Sequence, residues 1–368
     1  MAYRVPFVDP QKHYSNLKAE IDAAITDCLS KGDLILRSQL EDFEKNFASL
    51  VGTKYAEGLN SGYHALALSL LAAGIGAGDE VITVAHTFVA TISAIVHCGA
   101  TPVLIDVGKD YNMDMEKLES AITPNTKAVL PVHLNGRLCD MDRLMDIAQE
   151  HNLIIIEDAA QSVGGKYNGK VAGSFGLAGC FSHYPFKILG GFGDGGTLTT
   201  NDPDIARKVT LLRYNGEDRE TGEYFYHGYT CLLDNIQAAV LDVKLKHLPE
   251  WIKRRRAIAE LYRQGLSNIE DLFLPHFEGE KYFDVYQNYV IRTKKRDELY
   301  NYLEEQGVET LIHWKRPVWE HKGLKLGQLN LPETESICKE VISLPMSAET
   351  TDEHVEYTVE CIRNFFKS

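Results

Sequence analysis

The chemistry legible in this chain gathers around one lysine. Lys187 lies in the run Cys180-Phe181-Ser182-His183-Tyr184-Pro185-Phe186-Lys187-Ile188-Leu189-Gly190-Gly191, and Gly193-Asp194-Gly195-Gly196 follows at once. Upstream, the apolar run Leu153-Ile154-Ile155-Ile156 ends in Glu157-Asp158-Ala159-Ala160-Gln161. A strand that ends in a carboxylate, followed by a lone lysine among glycines that permit close backbone approach, suits pyridoxal 5'-phosphate (PLP). The lysine amine forms a Schiff base with the cofactor aldehyde. The carboxylate pairs with the pyridinium nitrogen, so the ring stays protonated and accepts the electron pair released at the substrate carbon. Desolvation and a nearby cation would favour the neutral amine that this chemistry needs.

Each of these residues also has a plainer role. Lysines are usually solvated surface charges. Asp158 could cap a helix starting near Ala159, although four apolar residues before it would half-bury the charge and call for a cationic partner. Gln161 could donate to a ring hydroxyl oxygen or be an ordinary first-turn glutamine. Phe88, in Thr83-Val84-Ala85-His86-Thr87-Phe88-Val89-Ala90-Thr91, follows a strand and could stack on a pyridine face or be plain core. His86 beside it is ambiguous. Ser61-Gly62-Tyr63-His64-Ala65-Leu66 opens a helix whose free N–H groups and dipole suit a phosphate, with Ser61 as contact or cap. Ser182 could add a hydroxyl.

The elements that position these residues follow from periodicity. Helical spacing runs over 15–29, 38–49 and about 63–73, the last ending in Gly74-Ile75-Gly76-Ala77-Gly78. That segment follows a helix rather than a strand, so it reads as a helix stop and turn and not as a dinucleotide loop. Short apolar runs near 80–84, 101–105, 127–132 and 153–157 read as buried strands, with helices near 88–97, 114–121 and 140–150 between them. Further strands are expected near 178–182 and 196–200. The alternation implies an α/β fold: a mostly parallel central sheet with helices on both faces, whose ligands gather at the carboxyl ends of its strands. After Asp234 a helix is expected, then a second one opened by Pro249. The basic run Lys253-Arg254-Arg255-Arg256 on it reads as a solvated face rather than an anion site. A strand over 285–291 and helices over 297–306 and 352–366 complete a small C-terminal α+β domain. The expected division is 1–247 for the large cofactor domain and 248–368 for the small one.

Composition sets the bounds. A net charge of -14 argues against broad nucleic-acid binding, which needs basic surface. The seven cysteines (Cys28, Cys98, Cys139, Cys180, Cys231, Cys338, Cys361) are dispersed and lack a CxxC pair, as expected of reduced thiols in a cytoplasmic protein. The opening Met1-Ala2-Tyr3-Arg4-Val5-Pro6-Phe7 lacks the basic and apolar segments of a signal peptide, and no apolar run approaches the roughly 20 residues that span a bilayer. The expectation is a cytoplasmic protein with no membrane, nucleic-acid or metal partner.

Several motifs occur together and in order: Asn60-Ser61-Gly62-Tyr63-His64-Ala65-Leu66, Thr87 to Thr91, Val132-His133-Leu134-Asn135-Gly136, Glu157 to Gln161, Lys187 to Gly196, and Asp234-Asn235-Ile236-Gln237-Ala238-Ala239. Together they resemble the DegT/DnrJ/EryC1/StrS family of sugar aminotransferases, from about Val5 to the C-terminus. The resemblance implies a fold-type I PLP enzyme, a homodimer with active sites at the subunit interface, that moves an amino group from glutamate to a keto group on a nucleotide-linked sugar, with pyridoxamine 5'-phosphate as the intermediate cofactor form. By motif, Lys187 matches the Schiff-base lysine, Asp158 the pyridine-nitrogen partner, Gln161 the residue near the ring hydroxyl and Phe88 the stacking aromatic. Gly62 and Ser182 match phosphate contacts. A dehydratase branch carries histidine where this chain has Lys187, so transamination is favoured over dehydration.

The chain also departs from the family pattern. Tyr63 stands where members usually have threonine, and Thr230-Cys231-Leu232 where many have Asn-x-Arg, whose asparagine reaches the phosphate in the neighbouring subunit. The Tyr63 and Thr230 hydroxyls are the candidate substitutes. Ile312-His313-Trp314-Lys315-Arg316-Pro317 replaces the commoner His-Tyr-Pro pattern, and Asn135 a usual tyrosine. His313, Lys315 and Arg316 are candidate substrate contacts, the long cations suiting a diphosphate. The expected product is an amino sugar for a surface polysaccharide or a glycosylated metabolite. A cyclitol ketone without a nucleotide is the alternative substrate, and a PLP-binding regulatory protein without turnover is the alternative from another class.

Overall fold

The computed structural model describes residues 3–275 and 279–367. The chain runs through helices α1 (Pro10–Lys31) and α2 (Ser38–Val51), strand β1 (Tyr55–Leu59), α3 (Gly62–Ala72), β2 (Glu80–Val84), α4 (Val89–His97), β3 (Thr101–Ile105), α5 (Met115–Ala121), β4 (Thr126–Leu130), α6 (Met141–Glu150), β5 (Ile154–Asp158), β6 (Ala178–Ser182), β7 (Gly196–Thr200), α7 (Pro203–Leu212) and the long α8 (Asn235–Leu266). After it come β8 (Tyr289–Arg292), α9 (Arg296–Glu305), α10 (Pro332–Glu340), β9 (Val341–Leu344) and α11 (Asp352–Lys367). Aspartates start several helices by accepting a first-turn N–H, as Asp114, Asp140 and Asp202 do.

Seven strands form one sheet in the order β1-β7-β6-β5-β4-β2-β3. Neighbours from β6 to β3 pair in parallel, while β7 runs antiparallel to both β6 and β1. β1 therefore points the same way as the parallel set, and its carboxyl end lies on the same edge as those of β2, β5 and β6. A large hydrophobic cluster covers both faces, with Leu66, Leu68 and Leu70 of α3 and Ile205 and Val209 of α7 among its members. A second cluster joins Ile258 and Tyr262 of α8 to β8, β9, α9 and α11, and it includes Val5, whose N–H reaches the Gly307 carbonyl at 3.0 Å.

Three local expectations change. Pro249 opens no second helix: α8 runs through it, losing one backbone bond. Its apolar residues are anchored in the first cluster before the proline (Leu241, Leu248) and in the second after it (Ile258, Tyr262), so packing on both sides carries the helix across. The basic run is not a solvated face. Arg254 donates to the Thr350 carbonyl, Arg255 is buried on the Tyr286 and Gln287 carbonyls, and Arg256 donates to the Asp284 carbonyl. The strand expected over 285–291 begins only at Tyr289, because the backbone groups of 285–287 are spent on Gly136 and Arg255 instead of a neighbouring strand.

Candidate active site

The carboxyl ends of β1, β2, β5 and β6 bring together Gly62, Phe88, Asp158 and Ser182, with Lys187 on the turn that follows β6. Asp158 is the last residue of β5 and is buried. Thr91 Oγ1 donates to its Oδ2 at 2.8 Å, and the Ala160 N–H to its Oδ1 at 3.2 Å. No helix opens at Ala159: residues 159–161 form a turn, so Asp158 caps no helix and Gln161 is no first-turn glutamine. Burial pushes the Asp158 carboxyl upward against the opposing pull of Thr91, the Ala160 N–H and the charge on Lys187.

Lys187 sits half-buried in a tight turn, its own N–H donating to the Tyr184 carbonyl at 2.8 Å. Burial brings its amine down to about 8, and the negative charge of Asp158 works in the other direction. The two groups are thus in electrostatic reach of each other across the end of the sheet. Near neutral pH a usable fraction of this amine is unprotonated, whereas an ordinary lysine at 10.5 would have almost none.

Gln161 is oriented by its neighbours. Its Oε1 accepts the Asn135 N–H at 2.8 Å, which leaves the Nε2 end as donor. Asn135 holds a positive φ of 58°, in the left-handed region that asparagine tolerates. At the opposite end, a Cβ on Gly62 would lie 2.8 Å from Ser182 Cβ, so the start of α3 and the end of β6 can meet only with glycine there. A Cβ on Gly196 would likewise lie 2.3 Å from the Ser61 carbonyl carbon. Ser61 is a cap, its Oγ accepting the His64 N–H at 3.2 Å. The first N–H groups of α3, at Gly62 and Tyr63, have no carbonyl a turn earlier to bind and are suited to an anion.

The two candidate substitutes each have a partner within the chain. Tyr63 Oη lies 2.6 Å from His97 Nδ1, and Thr230 Oγ1 donates to Asn215 Oδ1 at 2.8 Å.

Phe88 is not core: it is 60% exposed, at the mouth of a cleft of about 600 Å³ that Trp314 and Arg316 also line. His86, beneath it, is buried. Its ring stands edge-on to Trp314 with centroids 5.0 Å apart, and burial brings it to about 3, so it is a neutral packing residue. His313 Nδ1 is 3.0 Å from Ser343 Oγ on β9, and burial together with the positive charge of Lys187 brings it to about 4. His313 is thus within electrostatic reach of Lys187. Lys315 does not line the cleft but stands over the Tyr300 ring, 5.5 Å from its centroid. Of the three candidate substrate contacts, Arg316 alone lines the cleft beside Phe88 among the described residues.

Several participants were not singled out from sequence. Thr91 was quoted only as part of a motif, yet its place one turn after Thr87, with the two hydroxyls 2.9 Å apart, could have flagged an inward-facing pair. Gln287 and Asn288 gave no signal, because nothing in their local pattern relates them to residues 100–150 positions away. Trp314 holds a φ of 52°, uncommon for a bulky residue and unreadable from composition.

With this geometry in place, comparison with known proteins identifies the chain. Residues 15–363 match the model of the DegT/DnrJ/EryC1/StrS aminotransferase family, and the chain belongs to that family. It is 40% identical to the "Pleiotropic regulatory protein" of Geobacillus stearothermophilus, over 99% of both chains. It is also 40% identical to the dTDP-3-amino-3,4,6-trideoxy-alpha-D-glucose transaminase of Streptomyces venezuelae, covering 98% of this chain and 96% of that one. Its fold matches the crystal structure of S. venezuelae DesV in complex with a ketimine intermediate, with a TM-score of 0.96 and 39% identity over 100% of both chains. The chain is a fold-type I aminotransferase.

Proposed function

We propose that this enzyme uses PLP to move an amino group from glutamate to a keto-sugar carried on a nucleotide, in amino-sugar biosynthesis. The observation that carries the reading is the pairing of a buried strand-end carboxylate, Asp158, with a lysine whose amine burial has brought to about 8. The residues fit the cofactor. A buried carboxylate with only one hydroxyl and one N–H on it is suited to a cationic ring nitrogen, and the Gly62–Ser182 contact leaves the start of α3 open to a phosphate. Asp158, Gln161, Phe88, Ser182 and Gly62 would hold the cofactor. When bound, PLP supplies an electron sink for the pair released at the substrate carbon.

The protein's part is to place groups and move protons. Thr91 and the Ala160 N–H oppose the upward push of burial on Asp158, whose carboxylate would pair with a protonated ring nitrogen. Lys187 would hold the cofactor through its amine, and the same amine, when free, would move a proton at the substrate carbon. His313, neutral at working pH, offers a hydrogen-bonding group at the sugar side, and Arg316 a cation for a diphosphate. The nucleotide handle is supported by the S. venezuelae relative, a transaminase named for a dTDP-linked sugar.

We also propose a cytoplasmic homodimer with the site at its interface. Tyr184, Phe186 and Phe192 flank Lys187 and are each more than 40% exposed, as are Tyr224, Phe225 and Tyr226 beside the Thr230 segment, which suits a second subunit covering this edge. Among the described residues, no helix is long and apolar enough to cross a membrane. The proposed domains remain 1–247 and 248–368, although the hydrophobic clusters cross that boundary: Leu248, Ile252, Val285 and Val341 pack in the first cluster and Val5 in the second.

The test is the absorbance of the protein with PLP before and after glutamate. The expected result is a lysine-bound cofactor band that gives way to the aminated cofactor, with release of 2-oxoglutarate. No change on glutamate would overturn the donor, and no lysine-bound band would overturn the cofactor role. Parallel assays on nucleotide-linked and free keto-sugars or cyclitols decide the acceptor. Because one relative bears a regulatory name, 2-oxoglutarate release also separates turnover from binding alone.

A further inference from the structure

Lys187 lies in a turn rich in glycine, and such a turn does not by itself fix where the side chain points. Gln287, a buried residue of the C-terminal half, supplies the missing restraint. Its Oε1 accepts the Ile188 N–H at 2.9 Å, and its Nε2 donates to the Phe186 carbonyl at 3.0 Å. One carboxamide thus binds the two peptide groups that flank Lys187, as a neighbouring strand would, and pins the backbone on either side of that residue's Cα. Only a carboxamide matches this acceptor and this donor together.

Gln287 is itself fixed. Arg255 of α8, buried, donates from Nη1 to the Tyr286 carbonyl at 3.0 Å and to the Gln287 carbonyl at 3.2 Å. Tyr286 holds a φ of 52°, a strained conformation in which Gln287 continues toward the turn. The next residue grips the other side of the site: Asn288 Nδ2 donates to Asn135 Oδ1 at 3.2 Å, and Asn135 orients Gln161. The segment runs directly into β8, which pairs with β9, and Ser343 of β9 holds His313. One stretch of chain therefore touches the lysine turn, the Gln161 side and the support of the sugar-side histidine.

We propose that Gln287 is a positioning residue for Lys187, holding the lysine turn in register with the C-terminal half of the protein. The proposal rests on the reading of Lys187 as the cofactor lysine. Displacement of a reacting group by about 1 Å can cost about 100-fold in rate, so a clamp on both adjacent peptides bears directly on turnover.

The test uses Gln287→Met, which keeps length and removes both hydrogen bonds. In the protein without cofactor, amide exchange at Ile188 is expected to rise at least about tenfold, with the melting temperature and exchange in β5 unchanged. With PLP bound, borohydride capture of the cofactor on Lys187 is expected to slow and the pH midpoint of the lysine-bound cofactor band to shift. Donor kcat should fall about 10–100-fold with KM within about twofold. Unchanged exchange at Ile188 overturns the clamp, and wild-type capture, pH midpoint and kcat overturn the positioning role. Should the methionine variant fail to fold, Gln287→Glu, which keeps the acceptor for Ile188 and loses the donor to Phe186, takes its place with capture, pH midpoint and kcat as the readouts, and wild-type values in all three overturn the positioning role. If the wild-type protein takes no PLP, it is the functional reading that fails, and exchange at Ile188 still judges the clamp.

Discussion

Glu157 and Asp158 are consecutive carboxylates at the end of one strand, on opposite faces of the sheet, and they have opposite fates. Glu157 is fully buried, with every lone pair in demand. His133 Nε2 at 3.0 Å and the Gly173 N–H at 2.7 Å reach Oε2, and the Phe175 and Gly176 N–H groups at 2.7 and 2.9 Å reach Oε1. It fastens the 173–176 loop to the sheet and has no capacity left for a ligand. Asp158 has one hydroxyl and one N–H on it, is pushed upward by burial, and is within electrostatic reach of Lys187. The difference lies in the unused hydrogen-bonding capacity of a buried charge, not in residue type. Where that capacity is spent internally the group is structural, and where it is left over the group waits for a partner.

Changes at the site and at its structural neighbour should therefore separate activity from stability. The largest effect is expected for Lys187→Ala, which should retain the fold and non-covalent PLP but lose at least about 10³-fold in transamination, measured as 2-oxoglutarate release. Asp158→Asn comes next. Asparagine keeps an acceptor for Thr91 and removes the charge, so activity should fall about 100-fold and cofactor affinity should drop, with urea stability unchanged or raised. Glu157→Gln should invert that pattern. An NH2 would face N–H donors, costing about 2–3 kcal/mol in urea unfolding, while the folded fraction should keep near wild-type kcat. Loss of activity without loss of stability would break the comparison.

A pH series sharpens it. The Lys187 amine, lowered from 10.5 to about 8, binds fewer protons in the folded than in the unfolded state between those values. The cofactor-free protein should therefore gain stability as pH rises from about 8 to about 10.5, by up to about 3 kcal/mol from this group, and Lys187→Met should lack that gain. The smallest effect concerns the two adjacent cations. Arg316→Ala should raise KM for a nucleotide-linked sugar roughly tenfold, whereas Lys315→Ala, whose ammonium stands over Tyr300, should stay within about twofold.

Much of the framework was legible because it is local. β2, β3 and β7 lie where the apolar runs end and turn residues begin, and α1, α2 and α6 follow spacings of three and four. The strand-end places of Asp158, Phe88 and Ser182 and the glycine-rich turn of Lys187 were legible in the same way. What escaped was set by distant partners. Arg254, Arg255 and Arg256 read as a solvated stripe until the carbonyls of 284, 286, 287 and 350 were seen to meet them. Pro249 read as a helix start until packing on two clusters carried α8 across it. The partners that the Tyr63 and Thr230 hydroxyls have in the fold, His97 and Asn215, could not be read from their local pattern.

The sequence by itself determined the alternation of strands and helices, the strand-end carboxylate and the lysine among glycines, because periodicity and backbone permissiveness act over a few residues. The tertiary structure alone decided which groups were left with capacity to spend. Burial, which lowers the Lys187 amine and raises the Asp158 carboxyl, and the carboxamide of Gln287, which reaches 100 residues back to hold Phe186 and Ile188, depend on parts of the chain that meet only after folding.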